Sequence, residues 1–357
     1  MASYYDDDDD EGLVVEPGRS LPVVDVSALR SEGRASASSS DRLRAALALD
    51  ASLTQWGFLY LKGHKISTQL LRDARDAVRT FLSQPDDAKA PFALGANGNN
   101  RFRGWQRLGE NVTRSRRAFA RDQHEGIDLY EELPDACLPA DSWARGVNPW
   151  PSSAFEHTMR EYVHEMMRLG RDVLHGMAEG MRVSKESFDA AFHRPFWSLR
   201  GIRYPPLPLD SAAAAARSGA IDRSVPLSCG EHCDYGVLTF VNQDEGMSAL
   251  QAQARNGAWL DAPPMVDDAT GEEMLVMNVG DMLTRWTNGR YAATPHRVIH
   301  SQSASPRVSL PFFFEPSFDA EVAPLPELLA RTGDPAAFAA VTYGEHLTKK
   351  VLSNFES

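Results

Sequence analysis

The sequence predicts a mainly β protein with α-helices: helices are prominent in its first half, and an antiparallel β sandwich or barrel forms its second half. Before about residue 198, long segments repeat apolar residues every three or four positions, as helices lying on a sheet do. After about Leu199, short apolar runs are separated by turn-forming residues. We therefore expect a disordered acidic tail at 1–20, an α/β region at 21–198, and a β-rich region at 199–357 that ends in a helix.

The predicted elements of the first half follow this pattern in order. The acidic run Asp6–Asp10 cannot bury itself, and the serine-rich segment 31–40 is typical of a loop. Apolar residues at strand or helix spacing predict two strands and three helices. The strands are Leu21–Ser27 and Phe58–Leu61, and the helices are Asp41–Trp56, Ser67–Leu82 and Phe155–Met181.

In the second half, the candidate strands are Val237–Val241, Ala249–Gln253, Met274–Val279 and Val308–Phe314. Asn288 and Gly289 both accept positive backbone angles, so this dipeptide predicts a tight hairpin turn between Trp286 and Tyr291. The alanine run 212–216 predicts a surface loop or insertion.

Charge and composition exclude several classes of function. The formal net charge of -12 opposes binding to nucleic acid or to an anionic membrane surface. The sequence has neither an apolar run of about eighteen residues that could span a bilayer nor a secretory signal pattern. Its three cysteines, Cys137, Cys229 and Cys233, lack the spacing of a disulfide framework. We expect a cytoplasmic protein, monomeric or weakly oligomeric, that acts on a small molecule.

His232, Asp234 and His296 form a candidate metal site. In extended backbone, residues two apart leave the same face, so His232 and Asp234 can meet one ion. Two histidines and one carboxylate leave coordination positions open, an arrangement that suits an iron(II) oxygenase, whereas a structural zinc site fills all four positions. Taken alone, the His-x-Asp spacing favours two surface polar residues over a metal site.

Arg307 and Ser309 form a candidate anion site a short distance after His296. Alternation along an apolar strand places both side chains on one face. An arginine with a neighbouring hydroxyl can hold a carboxylate through charge-assisted hydrogen bonds. Taken alone, Arg307 is better explained as an exposed arginine in a salt bridge on an edge strand.

Together these residues resemble a known family. From Arg203 to Pro316 the chain is similar to the iron(II)/2-oxoglutarate-dependent dioxygenases of the isopenicillin N synthase-like group. A looser similarity includes Gly57-Phe58 with His64, and it extends the match over nearly the whole chain after the acidic tail. The segments that carry the resemblance, in family order, are Arg203-Tyr-Pro-Pro206, His232-Cys-Asp-Tyr-Gly-Val-Leu-Thr239, Asn278-Val-Gly-Asp281, Arg285-Trp-Thr-Asn-Gly289, His296-Arg-Val298 and Arg307-Val-Ser-Leu-Pro-Phe-Phe313.

The resemblance implies a double-stranded β-helix, or jelly roll, with N-terminal helices packed around it. It implies Fe(II), 2-oxoglutarate and O2 as cofactors, with His232, Asp234 and His296 as catalytic iron ligands. Arg307 and Ser309 would bind the distal carboxylate of 2-oxoglutarate, with Tyr204 as a further hydrogen-bond partner. The reaction would oxidise an unactivated C–H bond of a small molecule in specialised metabolism, by hydroxylation, desaturation or ring closure.

Two further observations concern the substrate. Arg101 and Arg103 lie in a glycine-rich loop, Asn97–Gly104, of the kind that lines an entrance. If either of them, or Arg203, faces the pocket, a carboxylate-bearing substrate is expected. Phe314 is a candidate apolar wall. The segment Ile202–Pro206 lacks the asparagine and first tyrosine common in plant flavonoid and hormone enzymes, which favours a microbial relationship.

Several alternatives stay open at this point. Within the family they are an oxidase that needs no 2-oxoglutarate, like isopenicillin N synthase, and an oxidative cyclase of an amino-acid-derived substrate, like the kainoid synthases. Outside it they are a non-catalytic binding protein on the same fold and a cupin-like isomerase or zinc enzyme. The intact metal triad argues against the binding protein, and the Arg307 and Ser309 pair argues against the cupin.

Overall fold

The computed structural model describes residues 20–30, 37–96, 102–114, 119–134, 138, 142–206, 227–300 and 305–355. The expected acidic tail, except for its last residue, and the alanine run 212–216 lie outside these residues, as do Arg101 and Cys137. Among the described helices, none is both long enough and apolar enough to cross a membrane.

The β-strands are β1 Val23–Asp25, β2 Phe58–Lys62, β3 Gly104–Gln106, β4 Val112–Arg114, β5 Phe119–Arg121, β6 Glu125–Tyr130, β7 Pro195–Tyr204, β8 Leu227–His232, β9 Leu238–Gln243, β10 Leu250–Gln253, β11 Trp259–Asp261, β12 Leu275–Val279, β13 His296–Ile299, β14 Arg307–Ser317, β15 Glu321–Val322 and β16 Val341–Thr342. The helices are α1 Ser39–Trp56, α2 Thr68–Leu82, α3 Asp86–Lys89, α4 Ser153–Met181, α5 Glu186–Asp189, α6 Asp281–Trp286, α7 Pro326–Thr332 and α8 Tyr343–Phe355. Short 3-10 helices follow α3 and α5, at Ala90–Phe92 and Ala190–Phe192.

Two facing sheets form the centre of the molecule. The larger sheet has the strand order β1-β2-β12-β9-β14-β7-β6-β3, and the smaller one has the order β11-β10-β13-β8. Apart from the parallel pair β1 and β2, neighbouring strands in both sheets are antiparallel. The expected jelly roll is confirmed.

Each strand of the larger sheet divides its side chains between two cores, because successive residues face opposite sides. One core lies between the two sheets and includes Phe58, Ile202 and Val276. The other lies between the larger sheet and the helices, chiefly α1, α2 and α4, and includes Leu59 and Met277. The polar functional side chains lie on the side that faces the smaller sheet.

Local signals set the helix ends close to their expected positions. Ser38 caps α1 by accepting a 3.1 Å hydrogen bond from the Asp41 N–H, and Gly57, at φ 63°, ends it. Ser152 caps α4 in the same way, accepting from the Phe155 N–H at 3.1 Å.

Two features differ from the sequence-based expectation. Asn288 and Gly289 do have positive φ values, of 53° and 85°, but they follow α6 and do not join two strands. The boundary expected at 198/199 falls inside β7, and β1, β2, β3 and β6 from the first half continue the larger sheet. The N-terminal part therefore supplies strands to the central sheet as well as helices around it.

Candidate metal centre and active-site cavity

Strand pairing brings the three candidate metal ligands together. His232 is the last residue of β8, Asp234 follows two residues later, and His296 is the first residue of β13, directly opposite His232 in the pairing of the two strands. Asp234 Oδ1 lies 3.6 Å from His296 Nε2 and 3.9 Å from His232 Nε2. One potential ligand atom from each residue thus faces a common point.

Backbone carbonyls orient both imidazole rings. His232 Nδ1 donates to the Gly230 carbonyl at 2.8 Å, and His296 Nδ1 donates to the Thr294 carbonyl at 3.1 Å. Since a carbonyl can only accept, each Nδ1 carries the hydrogen. Each Nε2 is therefore the ring nitrogen available to a metal, and such carbonyl contacts commonly orient histidine ligands of metals. Burial lowers the pKa of His232, but Cys229, Asp234 and the Gly230 carbonyl raise it to about 10, so a metal would displace a proton from this ring.

Two hydrogen bonds to Oδ2 orient the carboxylate of Asp234. Its Oδ2 accepts hydrogen bonds from Thr239 Oγ1 at 2.6 Å and Asn278 Nδ2 at 2.5 Å. These contacts leave Oδ1 facing the two histidines. The donor set of two imidazole nitrogens and one carboxylate oxygen fits Fe(II) with open coordination positions.

Burial and mutual charge shift the pKa values of this cluster. Burial, followed by the neighbouring His232, lowers the pKa of His296 to about 4. Burial raises the pKa of Asp234, but His296, His232 and the two hydrogen-bond donors offset this, and the net pKa is lowered. Asp234 is therefore a carboxylate and His296 a neutral imidazole near pH 7, the protonation states that a metal requires.

Arg307, Ser309 and Tyr204 also come together, at the start of β14 and the end of β7. Arg307 is 1% exposed, and its Nη2 donates to Gln243 Oε1 at 2.9 Å. Its Nε and Nη1 are buried and have no hydrogen-bond partner among the described residues. Because a buried guanidinium with free donors is unstable, this site fits a carboxylate that none of the described residues supplies.

Tyr204 lies against this guanidinium. The Arg307 Cζ atom is 5.0 Å from the centre of the Tyr204 ring, a cation–π contact. Burial raises the pKa of Tyr204 to about 12, although Arg307 and a hydrogen bond with Ser309 lower it. The Tyr204 hydroxyl is therefore neutral and can donate a hydrogen bond.

A cavity of about 170 Å³ adjoins the metal cluster and includes His232 and Asp234 in its wall. Arg200 is the only arginine or lysine among the described residues that line it. Its Nε donates to Asp128 Oδ1 at 2.7 Å, and its Nη2 donates to Gln106 Oε1 at 3.3 Å. The rest of the wall is mixed, with polar and apolar side chains that include Asn111, Thr113, Tyr130, Ser198, Phe313, Glu315, Tyr343, Leu347 and Val351.

Glu315 and Tyr343 connect this wall to the C-terminal helix. Glu315 is buried, accepts from the Val237 N–H at 2.9 Å and shares a hydrogen bond with Tyr343, the first residue of α8. Burial raises the pKa of the Glu315 carboxyl well above its usual range. Through Tyr343, Leu347 and Val351, α8 forms one side of the cavity.

The structure places the described substrate candidates away from this cavity. Arg103 is 1% exposed and donates to the carbonyls of Tyr130, Glu131 and Ala144, so it holds loops in place. Arg203 lies on the helix-facing side of β7 and pairs with Glu125 at 2.9 Å. These contacts correct the expected position of both arginines.

Phe314, the expected apolar wall, also lies away from the cavity. Its ring stacks on Phe192 at 4.8 Å, on the helix-facing side of β14, whereas Phe313 lines the cavity. Sequence reasoning missed Arg200 and Glu315. Period-two spacing could have found them, since Arg200 shares a face with Tyr204 on β7 and Glu315 shares one with Arg307 on β14.

Comparisons with known proteins cover both halves of the chain. The model of the N-terminal region of the non-haem dioxygenases in morphine synthesis matches residues 21–153, and the model of the 2OG-Fe(II) oxygenase superfamily matches residues 199–316. Homoarginine-6-hydroxylase of Glycine max is 36% identical over 344 residues, which are 94% of this chain and 97% of that protein. Homoarginine-6-hydroxylase of Oryza sativa is 33% identical over 343 residues, which are 94% of this chain and 98% of that protein.

A solved structure shares the fold. A full-length protein of Neurospora crassa, in complex with alpha-KG and thymine, has a TM-score of 0.77 and 24% identity, covering 95% of this chain and 98% of that one. Both curated relatives come from plants, so the departure at Ile202–Pro206 does not separate this chain from plant members. The two family models and the two relatives agree, and the chain belongs to the iron(II)- and 2-oxoglutarate-dependent oxygenases, enzymes that use Fe(II), 2-oxoglutarate and O2.

Proposed function

We propose that His232, Asp234 and His296 bind the Fe(II), and that Arg307, with Ser309 and Tyr204, binds the distal carboxylate of 2-oxoglutarate. The clustering of the three side chains, and the two buried Arg307 donors that have no partner among the described residues, support this assignment. When bound, the iron, 2-oxoglutarate and O2 would supply oxidation of a C–H bond: 2-oxoglutarate is converted to succinate and carbon dioxide, and the two atoms of O2 go to succinate and to the product.

The surrounding side chains orient these groups. Thr239 and Asn278 fix the direction of the Asp234 carboxylate, so that its free oxygen faces the two imidazoles. The Arg307 guanidinium neutralises a carboxylate in a site from which water is excluded, where a charge-assisted hydrogen bond is strong. Tyr204 can donate its hydroxyl to the same ligand because it stays neutral.

For the substrate, we propose a small amino acid of the homoarginine type, which the chain hydroxylates. The observation that carries this proposal is the position of Arg200. Its Nε and Nη2 contact Asp128 and Gln106, and its side chain lines the cavity that also includes His232 and Asp234. An arginine placed in this way is suited to binding a carboxylate.

The acidic groups of the cavity agree with this substrate class. Asp128 and Glu315 lie in the same wall as Arg200, and their carboxyl oxygens are possible hydrogen-bond acceptors for a second polar group of the substrate. Both named plant relatives are homoarginine-6-hydroxylases. The expectation of a carboxylate-bearing substrate is therefore kept, with Arg200 in place of Arg101, Arg103 and Arg203.

The test is turnover of the purified full chain with Fe(II), 2-oxoglutarate and ascorbate. Homoarginine, arginine and lysine would be compared with decarboxylated homoarginine, with succinate and the product mass as readouts. We expect succinate formation matched by a product that gains one oxygen atom, labelled when ¹⁸O2 is used. If no amino acid stimulates succinate formation by the folded, iron-loaded protein, the proposed substrate class is wrong.

The variant Arg200→Gln tests whether this side chain binds the carboxylate of the substrate. We expect it to raise the KM for homoarginine by about 10- to 100-fold, the effect of losing a hydrogen bond to a charged group. Decarboxylated homoarginine should be turned over equally by both proteins.

The same product analysis tests the cyclase alternative, because ring closure would remove two hydrogen atoms and add no oxygen.

A further inference from the structure

A second cluster of possible metal ligands lies beside the proposed iron site. It consists of Asp122, His124 and Cys229, and one ligand atom from each lies within 4.8 Å of the other two. Asp122 and His124 precede β6, and Cys229 lies within β8. None of the three has a role in the proposed reaction.

His124 has the hydrogen-bond arrangement of a metal-binding histidine. The residue is 2% exposed, and its Nδ1 donates to the Ser228 carbonyl at 3.2 Å. Its Nε2 is buried and has no partner among the described residues. His232 and His296 share the contact between Nδ1 and a backbone carbonyl.

Asp122 repeats the environment of Asp234. Its Oδ2 accepts hydrogen bonds from the Thr113 hydroxyl, at 2.8 Å, and from the Asn111 amide. Asp234 Oδ2 likewise accepts from a threonine hydroxyl and an asparagine amide. Asp122 Oδ1 accepts one backbone hydrogen bond, from Gly230 at 3.1 Å, and keeps a lone pair for a cation.

Cys229 completes the cluster with a sulfur ligand. Its Sγ lies 3.7 Å from Thr113 Oγ1 and 4.0 Å from His232 Nδ1. On binding a cation, the thiol would release its proton to solvent, and the thiolate together with the Asp122 carboxylate would balance the two positive charges. A set of one sulfur, one nitrogen and one oxygen suits a borderline ion such as Zn²⁺.

We propose that Asp122, His124 and Cys229 form a second metal site, selective for a borderline divalent cation such as Zn²⁺, with its fourth position taken by water. The site adjoins the proposed iron centre but is separate from it, because Cys229 contacts His232 at Nδ1 and the iron-facing atom is Nε2. Cys229, Thr113 and Asn111 also line the substrate cavity. An ion bound there would change the shape of that cavity, so excess Zn²⁺ would inhibit turnover without displacing iron.

Cobalt(II) provides the test, since a thiolate ligand gives it a charge-transfer band that nitrogen and oxygen ligands do not. The metal-free full chain would be titrated with Co²⁺ anaerobically under reducing conditions. We expect two equivalents to bind, with the thiolate band arising from one of them. The band should persist in His296→Ala, which damages the proposed iron site, and disappear in Cys229→Ser and in His124→Asn.

Matched controls are Cys233→Ser and His300→Asn, which should keep the band. Circular dichroism would show that each variant is folded, and binding of Fe(II) with 2-oxoglutarate would show that the first site is intact. The proposal is overturned if folded wild-type protein binds a single Co²⁺, or if the band is missing or depends on Cys233. This readout needs no substrate, so its failure is distinct from failure of the proposed hydroxylation.

Discussion

Arg307 illustrates how a single buried charge can depend on a molecule from outside the chain. Its guanidinium has one neutral partner, Gln243, and two buried donors without a partner among the described residues. A charge in this condition is costly to keep in the interior, and a bound carboxylate removes the cost. Arg307 therefore lowers the stability of the free enzyme and increases its affinity for the cosubstrate.

We expect Arg307→Gln to raise the KM for 2-oxoglutarate by about 10- to 100-fold, because one charge-assisted contact is lost. The binding of Fe(II) alone should not change. A titration of 2-oxoglutarate at saturating substrate measures the effect. Arg203→Gln is the matched control, since that side chain lies on the other face of the sheet, and an equal loss in both variants would contradict the assignment.

At this scale, the proximity of the candidate metal ligands was easier to predict than the set of side chains around Arg200. His232 and Asp234 are two residues apart, so local alternation alone places them together. Arg200, Asp128 and Gln106 meet only because β3, β6 and β7 lie side by side in the order observed. Strand order is a long-range property, which spacing along the chain does not contain.

At the scale of an element, β14 separates two functions on its two faces. Arg307, Ser309, Phe313 and Glu315 face the site, whereas Val308, Leu310, Phe312 and Phe314 pack towards the helices. Phe314 fits closely against α4, where a Cβ on Gly170 would lie 2.5 Å from its ring. Neighbouring phenylalanines of one strand therefore have different roles.

The pair Phe313→Ala and Phe314→Ala tests this division. Phe314→Ala should lower the free energy of unfolding by about 3 to 5 kcal/mol, because it leaves a cavity in the core. Phe313→Ala should destabilise less and should mainly alter the KM for the amino-acid substrate. Chemical denaturation and steady-state kinetics measure the two effects, and the reverse pattern would show that the two faces are assigned wrongly.

His64 connects the end of β2 to the segment before β12. Its Nε2 donates to the Glu273 carbonyl at 2.7 Å, and its Nδ1 accepts from the Ile66 N–H at 3.1 Å. These partners require the neutral ring, and burial lowers the pKa of His64 despite the nearby Glu272. Protonation would remove the Ile66 contact.

The pKa shift at His64 makes the fold sensitive to acid. In the unfolded chain His64 binds a proton as the pH falls below about 6.5, while the folded chain resists this, so stability decreases as the pH falls. Between about pH 7.5 and about pH 5.5, the contribution of one histidine is at most about 1.4 kcal/mol. Denaturation at both pH values should show a smaller decrease for His64→Gln than for wild type; an identical decrease would refute this role.

Element positions were predicted more accurately than connections. The helices expected at Asp41–Trp56, Ser67–Leu82 and Phe155–Met181 are found with ends within two residues. Apolar periodicity and end-capping residues are local signals, and they suffice for such helices. The Asn288 turn was assigned to a hairpin because the six-residue α6 before it is too short to show helical periodicity.

For the whole molecule, ligand binding and folding are linked through the two sheets. The proposed metal ligands belong to the smaller sheet and the loop after β8, whereas the proposed 2-oxoglutarate anchor belongs to the larger sheet. A cosubstrate that contacts both the metal and Arg307 would join the sheets across the inner core. Anything that binds only the folded state stabilises it, by about 2.7 kcal/mol at a hundred times its Kd.

We therefore expect 2-oxoglutarate to raise the Tm strongly when Fe(II) is present and weakly when it is absent. Anaerobic thermal denaturation with each ligand alone and with both would measure this. In His296→Ala the combined effect should be lost. An equal rise in Tm from 2-oxoglutarate without metal would contradict a cosubstrate held at both ends.

The cytoplasmic location and the monomeric or weakly oligomeric state remain predictions from the sequence.

The two faces of β14 also determine how the protein can evolve. Substitutions at the site-facing positions can alter the chemistry of the cavity one side chain at a time, while the core behind them stays unchanged. Insertion or deletion of one residue would instead reverse every later side chain, placing phenylalanines in the cavity and Glu315 among the helices. Homologues with new substrates should therefore differ in residue type along this strand and keep its length.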